Sequence, residues 1–205
     1  SVYDYLEYLE PLLEFPVYKV KHGDGLLHNI EEGVKSGSYI HAPFFDEKGI
    51  GQRQCTGIYK VRPINKKVRE LCGLRKGQRA KKQLARMWIG ISYDEIQRMR
   101  TSPDKWVENY YPLVDLKMHR LDCKMWLKEN GFKMPPRSAC WFCPYHSNED
   151  WRNLKKNEPK DFKKAVELDK KIRRAGTKGQ KIYMHKKLQP LDEVDFSSDI
   201  DKGQE

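Results

Sequence analysis

No stretch of this sequence approaches the roughly 20 consecutive apolar residues that a membrane-spanning helix needs, so no membrane partner is expected. The opening residues are not the charged, apolar leader of a secreted chain, and a cytoplasmic place is expected. Cysteine is scarce and odd in number, five in 205 residues, which argues against a disulfide framework and makes clustered cysteines metal ligands or redox groups. No repeat of fixed period occurs, which excludes a solenoid. Acid is short beyond residue 50: residues 1–50 carry four lysines against nine acids, a charge of −5, leaving +16 on the rest of a chain whose net charge is +11. Such a surface attracts polyanions, from mononucleotides to nucleic acid, although the lysines of 155–171 read more simply as a solvated helix face. Ser1 rather than Met opens directly on a helical pattern, as expected of a segment of something longer.

What is present reads as alternating helices and short strands, an α/β arrangement with a helical C-terminal part. Residues 2–14 place Val2, Tyr5, Leu6, Leu9, Leu12 and Leu13 on one helical face with Ser1 as cap, and Pro16 stops it. Val17–Val20 reads as a strand, 26–35 as a helix, and 36–54 as a long loop around Phe44 and Phe45. A helix is expected over 60–71, then a basic glycine-containing loop over 75–83. Met87–Ile91 reads as a strand, succeeded by a Ser92/Glu95 capping box. Residues 101–114 read as irregular, Asp115 as the cap of a helix running to Asn130, and Ser147 with Asp150 as a second capping box. Pro159 divides the remaining helical stretch in two, the later helix with Phe162, Val166 and Ile172 inward. The expected division is a partial nucleotide-binding α/β region over 1–114, a helical metal-binding region over 115–191, and a disordered acidic tail over 192–205.

Cys140-Trp-Phe-Cys143-Pro144 carries the strongest chemical signal. Two cysteines with two residues between them can turn both sulfurs to one centre, because the intervening turn frees N–H groups for the thiolates; zinc and iron–sulfur sites both use this. A closed site needs four ligands. Cys55 can reach in from its loop, Cys123 from mid-helix is the fourth choice, and Cys72 is held in reserve. His146 in place of Cys123 would give a Cys₃His zinc site. A single buried cysteine is more often a small hydrophobe, and that reading suits Cys72 best. Arg53, Lys60 and Arg62 beside the first cysteine, and Arg137 with His146 beside the pair, could hold a phosphate or sulfate. Folding Cys55 against Cys140 would bring these groups together.

Arg53-Gln-Cys-Thr-Gly-Ile-Tyr-Lys-Val-Arg-Pro-Ile64, then Ile89-Gly-Ile-Ser92 with Glu95 and Arg98, Tyr111-Pro-Leu113, and Pro135-Pro-Arg-Ser-Ala-Cys-Trp-Phe-Cys-Pro-Tyr145 succeed one another in a specific order. In that order, over roughly 1–195, the sequence resembles the phosphoadenosine-phosphosulfate-reductase-like family of the adenine-nucleotide α-hydrolase (PP-loop) superfamily, nearest to its phage- and mobile-element-borne members. The resemblance implies a doubly wound parallel sheet, incomplete in this chain, with nucleotide at the strand C-termini. It also implies a [4Fe–4S] cluster (zinc being the alternative) on Cys55, Cys140 and Cys143, and an adenine nucleotide or sulfonucleotide as partner; the fourth ligand must come from elsewhere, and Cys123 is the residue chosen for it. An enzyme of this kind would be an oxidoreductase or an adenylating sulfur-transfer protein, its catalytic residues unassigned.

The sequence departs from the family in three places. Gln54-Cys55 stands where the reductases carry a cysteine pair. No Ser-Gly-Gly-x-Asp-Ser phosphate loop occurs, and Gly49-Ile50-Gly51 is no substitute, since a phosphate cradle needs consecutive N–H groups at a helix start. The tail has no cysteine for thiosulfonate chemistry. The resemblance therefore leaves room for an oligomer or a partner chain that supplies the missing segment. The rival expectations are a zinc-stabilised nucleic-acid-binding module, using the loop 75–86 with Trp88, Trp106 and Tyr110, and a degenerate partner subunit that keeps its metal only for folding.

Overall fold

A computed structural model describes residues 2–136, 138–176 and 179–197. Ser1, Arg137 and the tail beyond 197 lie outside the described residues, and with them the expected cap, one expected anion ligand and most of the acidic tail. The architecture is mixed α/β, dominated by helices, with a small parallel sheet. The chain divides into two units that are each discontinuous in sequence, the first made of 1–19 and 64–138, the second of 20–63 and 139–205. The expected boundary at 114/115 is thus not where the units part: residues 115–138 go with the first unit, and 20–63 share a unit with the C-terminal helices.

The second unit is built around one apolar cluster. Helix α2 (Leu26–Ser36) ends where Gly37 takes a left-handed conformation (φ 71°) and donates its N–H to the Gly33 carbonyl. Strands β1 (Phe45–Asp46) and β2 (Gly49–Ile50) form a small antiparallel hairpin within the expected loop. Helix α6 (Asn148–Asn157) starts at the expected capping box: Ser147 accepts from the Asp150 N–H, and the Asp150 carboxylate accepts from the Ser147 N–H. Helix α7 (Pro159–Ile172) comes next at once, with Pro159 in its first turn, where a missing N–H costs nothing.

Phe162, Ala165, Leu168 and Ile172 recur at helical spacing and are buried with Trp151, Ile30, Phe44 and Phe142. The first residues of the expected disordered tail belong to this core. Val194 and Phe196 are buried, and the Phe196 ring stacks on Trp151 at 6.2 Å. Burying two large apolar side chains outweighs the acidity that marks the stretch as a tail.

Asp169, fully buried on the inner stripe of α7, fixes the segment that returns over the core. Its carboxylate accepts the Met184 N–H at 2.8 Å and the Leu191 N–H at 3.1 Å, and it is paired with Arg173. Burial pushes this carboxyl up, against the pull of the two amides and the guanidinium.

The first unit holds helix α1 (Val2–Leu9), the later part of α3 (Arg62–Leu71), β3 (Ala85–Trp88), β4 (Val107–Tyr110), α4 (Pro112–Asp115) and α5 (Arg120–Glu129). Strands β3 and β4 pair in parallel, Ala85 opposite Val107 and Trp88 opposite Tyr110. Four expectations fail here. Val17–Val20 forms no strand. Residues 107–110, read as irregular, supply the partner strand. The helix expected from Asp115 breaks at Lys117, whose φ of 53° lies in the left-handed region. Helix α5 restarts at Arg120 because Asp94, twenty-six residues back, accepts its N–H at 2.6 Å while His119 and Asp122 form a capping box. Those bonds, the Arg120 amide first and the His119 ring second, hold the Asp94 carboxyl at about 2. Ser92, the expected capping residue, makes no side-chain cap to the 3₁₀ turn after it.

Candidate metal centre

The chain reaches Cys55 at the head of a helical run that continues as a π-helical turn over Gly57–Val61 and then as α3. A π turn inserts one residue into the ladder and is frequent at functional sites. Eighty-odd residues later the chain re-enters the second unit and makes two successive turns: the Cys143 N–H bonds the Cys140 carbonyl at 2.9 Å, and the His146 N–H bonds the Cys143 carbonyl at 3.1 Å. Phe142 and Pro144 are buried and anchor the turns in the core, leaving Cys140 and Cys143 half-buried.

The thiols of Cys55, Cys140 and Cys143 are electrostatic neighbours within this unit. Burial pushes the Cys140 thiol up, Lys60 pulls it down, and Cys143 and then Cys55 push it up again as like charges. Cys55 thus lies within electrostatic range of Cys140. The sulfurs are not drawn to ligation distance: among the described residues, no three His, Cys, Asp or Glu side chains are placed to hold a metal ion.

The donor chemistry fits a thiophilic metal or cluster, with two soft sulfurs on successive turns, a third at a helix start and a lysine to offset thiolate charge. The second unit holds three of the four cysteines expected as ligands. Cys123, the expected fourth, lies half-buried on α5 of the first unit. Cys72, in the same unit, offers its S–H to the Leu84 carbonyl at 4.0 Å, the weak bond of a small packing residue.

Of the expected anion ligands, Lys60 and Arg53 stand with the cysteines. The Arg53 guanidinium lies 4.9 Å from the centre of the Tyr145 ring, two residues past Cys143. Tyr145 escaped the sequence reading as a partner, although it closes the Cys-Pro-Tyr run. Arg62 is exposed, one residue before the chain leaves this unit at Pro63. The His146 ring packs edge-on against the fully buried Trp151 at 4.7 Å, so it faces the core.

Two buried polar residues were also missed. Asp169 sits three positions from Val166 and Ile172 on the apolar stripe, and that spacing is the signal that marks it. His185, 2% exposed, has its Nε2 3.0 Å from Asn148 Oδ1 and accepts the Lys187 N–H at Nδ1. Burial, then Lys187 and Lys186, lower its pKa to about 4, so it is neutral at ordinary pH. A cleft of about 530 Å³ opens elsewhere in the unit beside Gly33, Tyr39, Phe44, Gln52, Arg174 and Gly176, and no cysteine lines it.

The fold and site define a mixed α/β protein whose second unit gathers three cysteines and a lysine. No family model, curated protein or solved structure matches the chain. Among the described residues, no helix is long and apolar enough to cross a membrane.

Proposed function

We propose that the chain is a nucleotide-handling protein built on a cysteine-ligated iron–sulfur cluster and related to the phosphoadenosine-phosphosulfate-reductase-like proteins. Cys55, Cys140 and Cys143 are three of the ligands. The observation that carries the reading is geometric: Cys140 and Cys143 open two successive turns, and the Arg53 guanidinium, two residues before Cys55, lies 4.9 Å from the centre of the Tyr145 ring, two residues past Cys143. Two sequence-distant segments are brought together there, and packing alone gives no reason for three sulfurs to share one neighbourhood. When bound, such a cluster supplies electron transfer or a Lewis-acidic iron.

The chain's own residues would then act on the anionic part of a substrate. Lys60 and Arg53 supply positive charge beside the sulfurs, and Tyr145 holds the Arg53 guanidinium by a cation–π contact. An adenine nucleotide or sulfonucleotide suits this charge. The incomplete doubly wound sheet belongs to the same proposal: the parallel pair β3–β4 is compatible with it. A phosphate loop, if the activity needs one, comes from residues or a partner other than these.

Cys140→Ser tests the ligand assignment. Protein prepared without oxygen should lose its iron and sulfide and melt earlier than the parent. Full metal content in the variant overturns the assignment. Lys60→Ala should weaken nucleotide binding while leaving the metal in place.

A further inference from the structure

The first unit carries a surface unrelated to the cysteines. Between Glu70 and Asp94 the sequence contains no acid and six basic residues, Arg75, Lys76, Arg79, Lys81, Lys82 and Arg86. All six are exposed. Their loop is built rather than loose. Arg69 donates to the carbonyls of Arg75 and Gln78, at 3.3 and 2.7 Å, and Gln78 closes the turn by accepting the Arg75 N–H at 3.0 Å. The far end of the loop is tied to the sheet, where the Leu84 and Ala85 N–H groups both bond the Trp106 carbonyl.

The loop thus leads directly into β3. Alternation along β3 turns Arg86 and Trp88 outward, and the parallel register places Glu108 and Tyr110 beside them. Trp88 is 71% exposed, a large apolar surface that no packing argument explains. Its ring meets Tyr110 at 5.2 Å and 70°, and the Arg86 guanidinium lies 5.4 Å from the Tyr110 centre. Glu108, opposite Arg86 in the register, is taken up by Arg86 Nε at 2.7 Å and Gln83 at 2.9 Å. The charge of the loop itself is left without acidic partners in its own segment. Trp106, expected to join this surface, is 5% exposed beneath Arg69 and takes no part.

We infer that this face binds single-stranded nucleic acid, with an unpaired base stacked on Trp88 and the backbone phosphates along the loop 75–82. An exposed aromatic platform beside a run of cations is what an unpaired strand needs: every base offers a π-face, while the phosphates need only positive charge. A duplex hides its base faces, and an acidic protein has none. This surface goes beyond the metal centre and uses none of its residues.

The test is fluorescence anisotropy of the full chain with end-labelled oligothymidylate and oligouridylate, across a salt series, beside a duplex of equal length. Both single strands should bind more tightly than the duplex, and a preference between them identifies DNA or RNA as the natural strand. Trp88→Ala should weaken binding about fivefold or more. Lys81→Gln with Lys82→Gln should reduce the slope of log affinity against log salt by about 1.4, two phosphate contacts at about 0.7 each. Circular dichroism and metal content should stay at the parent's values in both variants. The inference is overturned by duplex binding as tight as single-strand binding, by full affinity in Trp88→Ala, or by equal displacement with polyglutamate of matched charge.

Discussion

The two units use their apolar residues in opposite ways. In the second, Trp151, Ile30, Ile172, Met184 and Leu191 are fully buried in one cluster, and the polar groups enclosed with them, Asp169 and His185, have named partners. In the first, the cluster is Ile91, Tyr111 and Val114, with Trp106 and Val107 also buried. Trp88, Leu116, Leu121 and Trp126 there stay half or more exposed. Helix α5 buries none of its residues, and its N-terminus is held by hydrogen bonds from Asp94 and His119 instead. Core burial therefore organises the second unit, where the cysteines need a fixed frame. Local caps and aromatic stacks organise the first, which leaves side chains free for contact with other molecules.

That contrast is broken most directly at Asp169. Asp169→Ala strands Arg173 and two buried amides, and should cost about 3–5 kcal/mol in urea unfolding. A loss below about 1 kcal/mol would mean that the returning segment 184–191 is held by packing alone.

Acid separates the units by pH window. His185 has a folded pKa of about 4, below the usual 6.5, so between those values the unfolded chain binds a proton that the folded chain refuses. Stability should fall as pH drops from 6.5 to about 4, by something on the order of 3 kcal/mol, and His185→Gln should flatten that slope. Asp94 in the first unit has its pKa lowered from 3.8 to about 2, so its contribution is intact above 3.8 and is lost only on further acidification towards 2. Amide hydrogen exchange resolved along the chain should show the second unit loosening first. The reverse order would contradict the assignment.

Smaller effects sharpen the picture. Ser147→Ala removes the cap of α6 and should cost about 1 kcal/mol of thermal stability. Trp88→Ala, at an exposed position, should change stability by no more than about 0.5 kcal/mol.

Local chemistry was legible in the sequence wherever it was self-contained. The Ser147/Asp150 box, the division at Pro159, helix α2 with its glycine stop and the inward stripe of α7 all depend on residues within a few positions. What escaped depends on distant partners. Val107–Tyr110 has no apolar alternation of its own and becomes a strand because β3 pairs with it. The start of α5 is set by Asp94, and Trp106 is covered by Arg69, thirty-seven residues earlier. Of the site, the Cys140–Cys143 turn was readable from its spacing. The contact of Tyr145 with Arg53 and the turning of His146 onto Trp151 were not, because side-chain direction at a turn is set by the core beneath it.

The central claim is that the second unit's cysteines hold an iron–sulfur cluster, and the direct measurement is iron, sulfide and zinc content with a visible spectrum on protein purified without oxygen. About four irons and four sulfides per chain, with a brown colour and broad visible absorption, is the result expected of a [4Fe–4S] centre. A colourless protein, with one zinc or with no metal, would contradict it.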